Sequence, residues 1–445
     1  MYVKAYKTVT EGGQTSRVLE KYTRISGPSF APSVDLTGSS IPVNTFEVSI
    51  KTDDVIEIGA YAFLYGDDDT LWAKYWVTYA EREDAEKVKL RAKSDVWLLD
   101  RMKLAAKYYS NAALSDVLDE TILRDSGTVG VVAQMDYTLD SSFSGVKITG
   151  YCPEQTARER LLWIVFSIGG YVKTFWNTEI EILPVDTTGA LIPITKTYWK
   201  PTVTYNDHVT ALKAKYYSFS AGTPTTTDEY VTVGNTTYIV TETEMTIANT
   251  DAPADAPENT VTIEGIYLLN SSNVSALLTR LGAWYFKRTV VDITCVDSGE
   301  YLPGDKLQAC LSAEAMVEGY AESASFGFGK DTRAALRLTA VGSVEAATLT
   351  IICKWDGKQI DRKRYTLPVG YAYTIPNPYI DLTIDRHRYI FRPLTENTTG
   401  TLPAGGATVT VQYEVALDLH KGVLHVISVD EVTEETDEIT IGVIA

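Results

Sequence analysis

Residues 153–183 read PEQTARERLLWIVFSIGGYVKTFWNTEIEIL, and the period of the pattern changes in the middle. Ala157, Leu161, Ile164/Val165 and Ile168 recur at three- and four-residue spacing, the stripe of a helix. Pro153-Glu154 opens it, because the first-turn N–H groups are unpaired in any case, and Gly169-Gly170 ends it where a left-handed residue is wanted. Past the glycines, Tyr171 to Trp176 and Glu179 to Leu183 predict a hairpin turning at Asn177-Thr178. The stretch implies an α+β unit, and the chain on both sides of it reads as strands.

On the N-terminal side, Thr45-Phe-Glu-Val-Ser-Ile50 alternates, and Val55-Ile-Glu-Ile58 and Ala60-Tyr-Ala-Phe-Leu-Tyr65 follow. The acidic break Gly66-Asp-Asp-Asp69 then leads into Leu71-Trp-Ala-Lys-Tyr-Trp-Val-Thr-Tyr79, a hairpin signal. With Glu86 to Ala92 as a further strand, residues 1–93 form a small barrel or a strongly curved sheet. At Ser94-Asp95 the period turns helical, with Val96, Leu99, Met102/Lys103 and Ala106 on one face. A second cap, Ser115-Asp116, starts Val117 to Leu123, closed by Gly127. Residues 94–194 are thus the α+β domain.

On the C-terminal side strands return at Lys196 to Val209, Leu212 to Ser220 and Glu229 to Val240, followed by an exposed Ala- and Pro-rich excursion at 249–257. Ser272 caps a helix carrying Val274, Leu277/Leu278, Leu281 and Tyr285, ending in Lys287-Arg288, where cations complement the dipole. Between strands Thr289 to Cys295 and Lys306 to Cys310, Pro303-Gly304-Asp305 is a turn, with Pro presetting φ and Gly permitting φ > 0. Residues 195–345 therefore form a second β region with an inserted helix at about 250–288. From Ala346 short strands broken by Asp-Gly, Pro and Gly mark a separate β module, 346–445, whose closing hairpin pairs Val423 to Val429 with Glu438 to Val443. The fold class is mainly β, and 28 Tyr with 14 Thr in residues 201–250 agree with it.

The formal charge of −18, from 58 acidic and 40 basic residues, is far from a nucleic-acid-binding balance. No apolar run approaches the roughly 18 residues of a membrane span, and the N-terminus lacks a signal-peptide core, so neither ordinary secretion nor membrane insertion is expected. Cys152, Cys295, Cys310 and Cys353 show no CxxC spacing and read as free thiols in a reducing cytoplasm.

Residues that carry chemistry are scattered. Among His208, His387, His420 and His425 only the last two are close, and five residues apart on strands they face opposite ways. Asp67-Asp68-Asp69 could hold a cation, but a solvated hairpin tip explains it as well, since other oxygen ligands are not evident. Glu179/Glu181 and Glu242/Glu244 are spaced to line an exposed strand face as readily as a cleft. Phe326-Gly-Phe-Gly329 lacks the lysine-serine pair of a phosphate loop. No catalytic, cofactor-binding or metal-ligating residue is therefore assigned, and no cofactor is expected.

Three segments together resemble the hub proteins of phage and prophage tail baseplates and tail tips. They are Leu71 to Tyr79 leading into Lys89-Leu-Arg-Ala-Lys-Ser-Asp-Val-Trp-Leu-Leu-Asp-Arg101, then Thr156 to Tyr171 with its hairpin, and Asn270 to Arg288 with Val290 to Cys295 and Tyr301-Leu-Pro-Gly-Asp-Lys-Leu307. The resemblance runs over about residues 1–345. It implies that 1–93 and 195–345 are similar barrels, and that the protein forms a homotrimer whose six barrels join a sixfold tail tube to a threefold tip. Its partners would be tail-tube and tail-tip proteins, and its location the host cytoplasm during assembly and then the virion tail. Relatives with an appended peptidase or lysozyme domain differ from this chain, whose residues 346–445 show no catalytic cluster. The negative charge fits passage of DNA through such a ring, and fits simple solubility equally. The competing reading is a carbohydrate-binding or adhesive β protein, with exposed Tyr and Trp stacking on sugars.

The purified protein is expected to release no product from peptidoglycan, peptides or glycosides, because no segment supplies positioned acid, base, nucleophile or metal. A zymogram clearing that persists on repurification and vanishes with one carboxylate or histidine replaced would refute this.

Overall fold

The structure, a computed structural model, describes residues 2–426 except 12–13, 67–68, 70, 123–134, 176–178, 186–190, 195–200, 297–300, 312–314, 328–332, 385–386 and 421–422. Strands account for 58% of it, so the fold is mainly β as the sequence implies. The chain divides into two compact units, one of residues Met1–Leu307 and Gly319–Gly342, the other of Gln308–Glu318 and Ser343–Ala445.

The first unit begins with seven antiparallel strands that make a nearly closed barrel. Alternation places them. Phe46, Val48 and Ile50 of Thr45–Lys51 lie opposite Ala92, Leu90 and Val88 of Lys87–Lys93. All six side chains are buried. Burying a large aliphatic or aromatic side chain contributes about 1.5–3 kcal/mol, and a one-residue slip would expose the whole set. Tyr61–Tyr65 and Leu71–Asp84 form the expected hairpin, with a register shift at Tyr65. Two residues of its acidic tip, Asp67 and Asp68, lie outside the described residues.

Strands Thr202–Tyr205, Thr289–Val296, Arg333–Val344 and Met316–Gly327 form a half-barrel. Its last strand hydrogen-bonds to Ile25–Phe30 of the first barrel, with Phe326 opposite Phe30 and Gly327 opposite Ser29. The two strand regions, hundreds of residues apart in sequence, are therefore one 13-stranded sheet. Strand Ile25–Phe30 carries a bulge between Ser26 and Ser29, which accommodates Gly27 at φ +57° and Pro28, which has no N–H to donate.

Strands Ala211–Ala221, Glu229–Val233, Thr236–Ala248 and Thr260–Ile263 do not enter that sheet. They make a separate four-stranded sheet whose Leu212 and Ala214 pack on Val274, Leu277, Leu278 and Leu281 of a helix. That helix, α4 (Val274–Tyr285), has Asn273 rather than Ser272 at its N-cap position, with no side-chain cap bond, and the Ser272 hydroxyl is 2.5 Å from Asn270 Oδ1. It also stops before Lys287-Arg288, so its last turn holds no cation. Arg288 instead lies 2.7 Å from His208 and over the Tyr205 ring.

Between the strand regions the middle layer is α+β. The helix expected from Ser94 to Ala106 is only α1 (Val96–Leu99). Lys103–Leu104 and Lys107–Ala113 are strands, paired with Gln155–Thr156 and Lys147–Cys152, and tertiary pairing overrides a helical spacing only three turns long. Helix α2 (Leu114–Ile122) follows, while its expected stop at Gly127 lies outside the described residues. Helix α3 (Ala157–Ile168) starts later than Pro153-Glu154, because Gln155–Thr156 is in the small sheet. Thr156 and Glu159 close a capping box, and Gly169 ends the helix at φ +79°. Gly170–Lys173 and Ile180–Pro184 then pair as the predicted hairpin. Further on, Gly304 takes φ +101° in the Pro-Gly turn, and Asp305 N–H donates to Leu302 O at 3.1 Å.

In the second unit a six-stranded sheet surrounds Leu349, Ile351 and Phe391, with a two-stranded sheet of Ala372–Pro376 and Asn397–Thr401 beside it. The hairpin of Ala346–Trp355 and Lys358–Pro368 turns on Asp356 (φ +45°) and Gly357 (φ +72°), the type I′ geometry that suits the right-handed strand twist. Glu438 to Val443 lies outside the described residues.

Replacing Thr156 by Ala should cost the first unit about 1 kcal/mol, since it leaves a first-turn N–H of α3 without its acceptor. Urea unfolding of T156A against T156S checks this, the serine variant retaining wild-type stability.

Candidate functional site

No cluster of reactive side chains emerges among the described residues, and the features that stand out are the joints of the first unit. Phe30 is fully buried at the seam of the 13-stranded sheet, stacked on Phe326 at 6.3 Å and edge-on to Tyr75 and Phe175 at 6.0 and 6.5 Å. Beside it Asn44, also buried, accepts from Ser33 N–H at 2.8 Å and donates to Thr174 Oγ1 at 2.9 Å. Its main-chain N–H donates to Ser94 Oγ, and its carbonyl accepts from Ser94 N–H. A buried amide with its donors and acceptors placed on three separate segments fixes their relative position.

The third joint is Arg280 on α4. Its two terminal nitrogens donate to the carbonyls of Leu36 and Thr37 at 2.9 and 2.8 Å. Burial pushes the guanidinium down to about 10. Gly38, next in the loop, has φ +72°, and a β-carbon there would lie 2.6 Å from the carbonyl oxygen of Gly170. The end of α3 and the 36–38 loop thus meet backbone to backbone, and the Arg280 side chain ties α4 to them.

Asp95 is the most perturbed carboxylate among the described residues. It sits at the α1 N-cap position without making a cap bond, and its Oδ2 lies 3.3 Å from Lys74 Nζ instead. Burial pushes its pKa up to about 6, against the opposing attraction of Lys74.

The residues singled out in sequence are dispersed. His208 meets Arg288. His420 lies opposite Val423 and His425 opposite Asp418 across a hairpin, a register that puts the two positions on one face rather than on the opposite faces expected of a single strand. Glu181 pairs with Lys173 across its hairpin, and Lys215 holds Glu242 at 3.0 Å while Lys213 holds Glu244 at 3.1 Å. These carboxylate pairs are cross-strand ion pairs rather than acid–base dyads. Asp69 is within 3.5 Å of Lys21. Phe326 and Gly327 belong to the seam, while Phe328 and Gly329 lie outside the described residues. The four cysteines are free thiols. Among the described residues no group of three or more His, Cys, Asp or Glu is placed to hold a metal.

Sequence reading missed Asn44 and Arg280. The signal for Arg280 was there, since it is the only charged residue in the twelve of VSALLTRLGAWY. What the arrangement can do is hold two strand lobes in a fixed relation and present the ends of one long sheet. Among the described residues those ends are Gln14–Tyr22 and Thr202–Tyr205, where Val18, Leu19 and Tyr205 are exposed.

Solved structures share this arrangement. The chain has the fold of a phage-type tail protein. The tail protein from Neisseria meningitidis MC58 aligns over 76% of this chain and 96% of its own, with a TM-score of 0.50 and 11% identity. The tail protein of prophage MuSo2 from Shewanella oneidensis covers 76% and 98% at a TM-score of 0.46 and 11% identity. Prophage tail protein gp18 from Listeria monocytogenes EGD-e covers 76% and 94% at 0.48 and 10%. No family model and no curated protein matches the sequence. The resemblance read from three sequence segments is borne out as a likeness of fold.

The Asp95 environment makes a pH prediction. A folded-state value near 6 against 3.8 unfolded means that the native state binds a proton more readily between those values, so the burial cost is present above pH 6 and relieved as the pH falls towards 4. The stability of the wild type relative to D95N should therefore rise by about 2 kcal/mol from pH 6 to pH 4, because each tenfold difference in proton affinity between the two states is worth about 1.4 kcal/mol. Parallel denaturant titrations check it, and a pH-independent difference would show that Asp95 titrates normally.

Proposed function

We propose that the protein is a structural component of a phage or prophage tail, and that it serves as the hub joining a sixfold tail tube to a threefold tip. The observation that carries the proposal is the fold: two strand lobes separated in the chain by an α+β segment, joined through Phe30 and Phe326 and matching a tail protein over three quarters of the chain. In this reading residues 1–93 and 195–345 are the barrel-type domains, 94–194 the layer between them and 346–445 an accessory β module. Three copies place six β lobes around one axis, and closed rotational symmetry is the simplest way to match a hexameric partner with a trimer. The partners are then tail-tube and tail-tip proteins, and the role is non-enzymatic. The protein assembles in the host cytoplasm and ends in the virion tail.

Electron microscopy of the protein bound to its tail tube tests this. The expected result is a homotrimeric ring with the two lobes of each subunit about sixty degrees apart around the axis. A monomer or dimer in the assembled tail, or lobes stacked along the axis, would overturn the hub and leave the carbohydrate-binding or adhesive reading in first place.

A further inference from the structure

The six-stranded sheet of the second unit ends on a strand that carries an excess of positive charge. Lys358–Pro368 pairs with Ala346–Trp355 on one side and, among the described residues, with nothing on the other. Its outer row of main-chain N–H and C=O groups is a template that another extended segment can complete. Lys354, at the end of the neighbouring strand, and Lys358, Arg362, Lys363 and Arg364 bring five cations to this edge. Lys358, Arg362 and Arg364 are exposed. None of the five has an ion pair among the described residues, whereas Arg388 and Arg392 of the same sheet hold Asp381 and Glu414. With Asp356 and Asp361 counted, residues 354–364 have five positive charges against two negative, a net of +3 in a chain of net −18. A lysine is the ordinary guard of a free edge, but cations crowded on one strand without counter-charge favour an anionic neighbour.

The chain itself supplies such a neighbour. The described residues stop at Val426, and residues 427–445 read ISVDEVTEETDEITIGVIA. Six of these are acidic, Asp430, Glu431, Glu434, Glu435, Asp437 and Glu438, and none is basic. The place where the described chain stops also fits. Val426 lies opposite Leu417 of Ala407–His420, and Lys354 lies opposite Gln412 of the same strand. Both sit on the side of that strand away from His387–Pro393. Val423–Val426 runs antiparallel to Ala407–His420, so its direction aims the chain at the Asp356-Gly357 turn. From 417 to 412 is five positions, about 17 Å at 3.4 Å per residue, which five further residues span. The first acids therefore come within reach of the end at which Lys358 begins the free edge.

We propose that residues 430–438 lie along the free edge of Lys358–Pro368 in the same molecule, parallel to it, and close it with main-chain hydrogen bonds. A run of six acids over nine residues then faces four cations over seven, at both odd and even positions, so that acid–base pairs form on both faces of the strand. The edge is a docking surface held closed by the chain's own segment, and an acidic strand of another protein enters only by displacing it. The proposal concerns the second unit alone and does not rest on the hub reading.

Hydrogen exchange of the full chain, followed by mass spectrometry over residues 358–368 and 430–438, tests it. In dilute protein at low salt both segments should exchange slowly. Replacing the six acids by their amides should speed exchange of both by about tenfold or more, and molar salt should do the same. Unchanged protection of residues 349–353 in that variant reports an intact sheet. R362E/R364E should release 430–438 equally, and carbodiimide coupling of the wild type should join Lys358 or Lys363 to Glu434 or Glu435 within one chain. Fast exchange of 430–438 in the wild type, or protection that survives in the amide variant, would overturn the proposal. Coupling that appears only between chains as the concentration rises would overturn it too, by making a second copy the occupant.

Discussion

The first unit depends on one close meeting, backbone to backbone between the 36–38 loop and the end of α3, to which α4 is tied by the side chain of Arg280. Gly38 leaves no room for a β-carbon against Gly170 O, and Gly169 lets α3 stop and the chain reverse at the same point. A guanidinium can bind two successive carbonyls at once because its donors diverge from a rigid plane. A lysine in its place would reach one of them. Breaking this contact would leave two buried carbonyls unpaired, at roughly 1–3 kcal/mol each. From this fixed point α3 runs back into the middle layer and α4 lies on the four-stranded sheet, so the spacing of both is set by three glycines and one arginine.

Where local chemistry dictates local structure, the elements were legible. The α3 stripe, its glycine stop and the following hairpin rest on neighbours a few residues apart, and so do the Pro303-Gly304 and Asp356-Gly357 turns. The boundaries that differed did so for tertiary reasons. Met102 and Ala106 lie in phase with α1, but Leu104 and Tyr108 are claimed by strands from residues 147–156, and a four-residue helix has too few internal hydrogen bonds to compete. At α4 the sequence offers Ser272, yet the helix starts one residue later, with Asn273 at the N-cap position and both side chains bonded to groups before the helix instead of to its first turn. The joining of the strand regions through Phe30 and Phe326 leaves no trace in periodicity, since the pairing partners are almost three hundred residues apart.

The candidate site was less legible than the fold. Carboxylate pairs drew attention in sequence because their spacing resembles a dyad, and every one with a described partner turns out to face a lysine across a strand. The groups that matter instead, Asn44, Asp95 and Arg280, are isolated polar residues in apolar surroundings. Such residues have no motif. What marks them is that a buried polar group must find a partner, and an unpaired one costs more than most contacts return.

That rule separates two ways of using buried polarity. Asn44 is bonded through its side-chain oxygen, its side-chain nitrogen and its main chain, and its partners are main chain or hydroxyl groups that do not titrate, so it locks segments together. Arg280 is satisfied on its two terminal nitrogens, while its Nε–H is buried without a partner among the described residues. An idle buried N–H lowers stability without adding order. The two terminal bonds of Arg280 therefore tie α4 to the 36–38 loop against the cost of its unspent third donor.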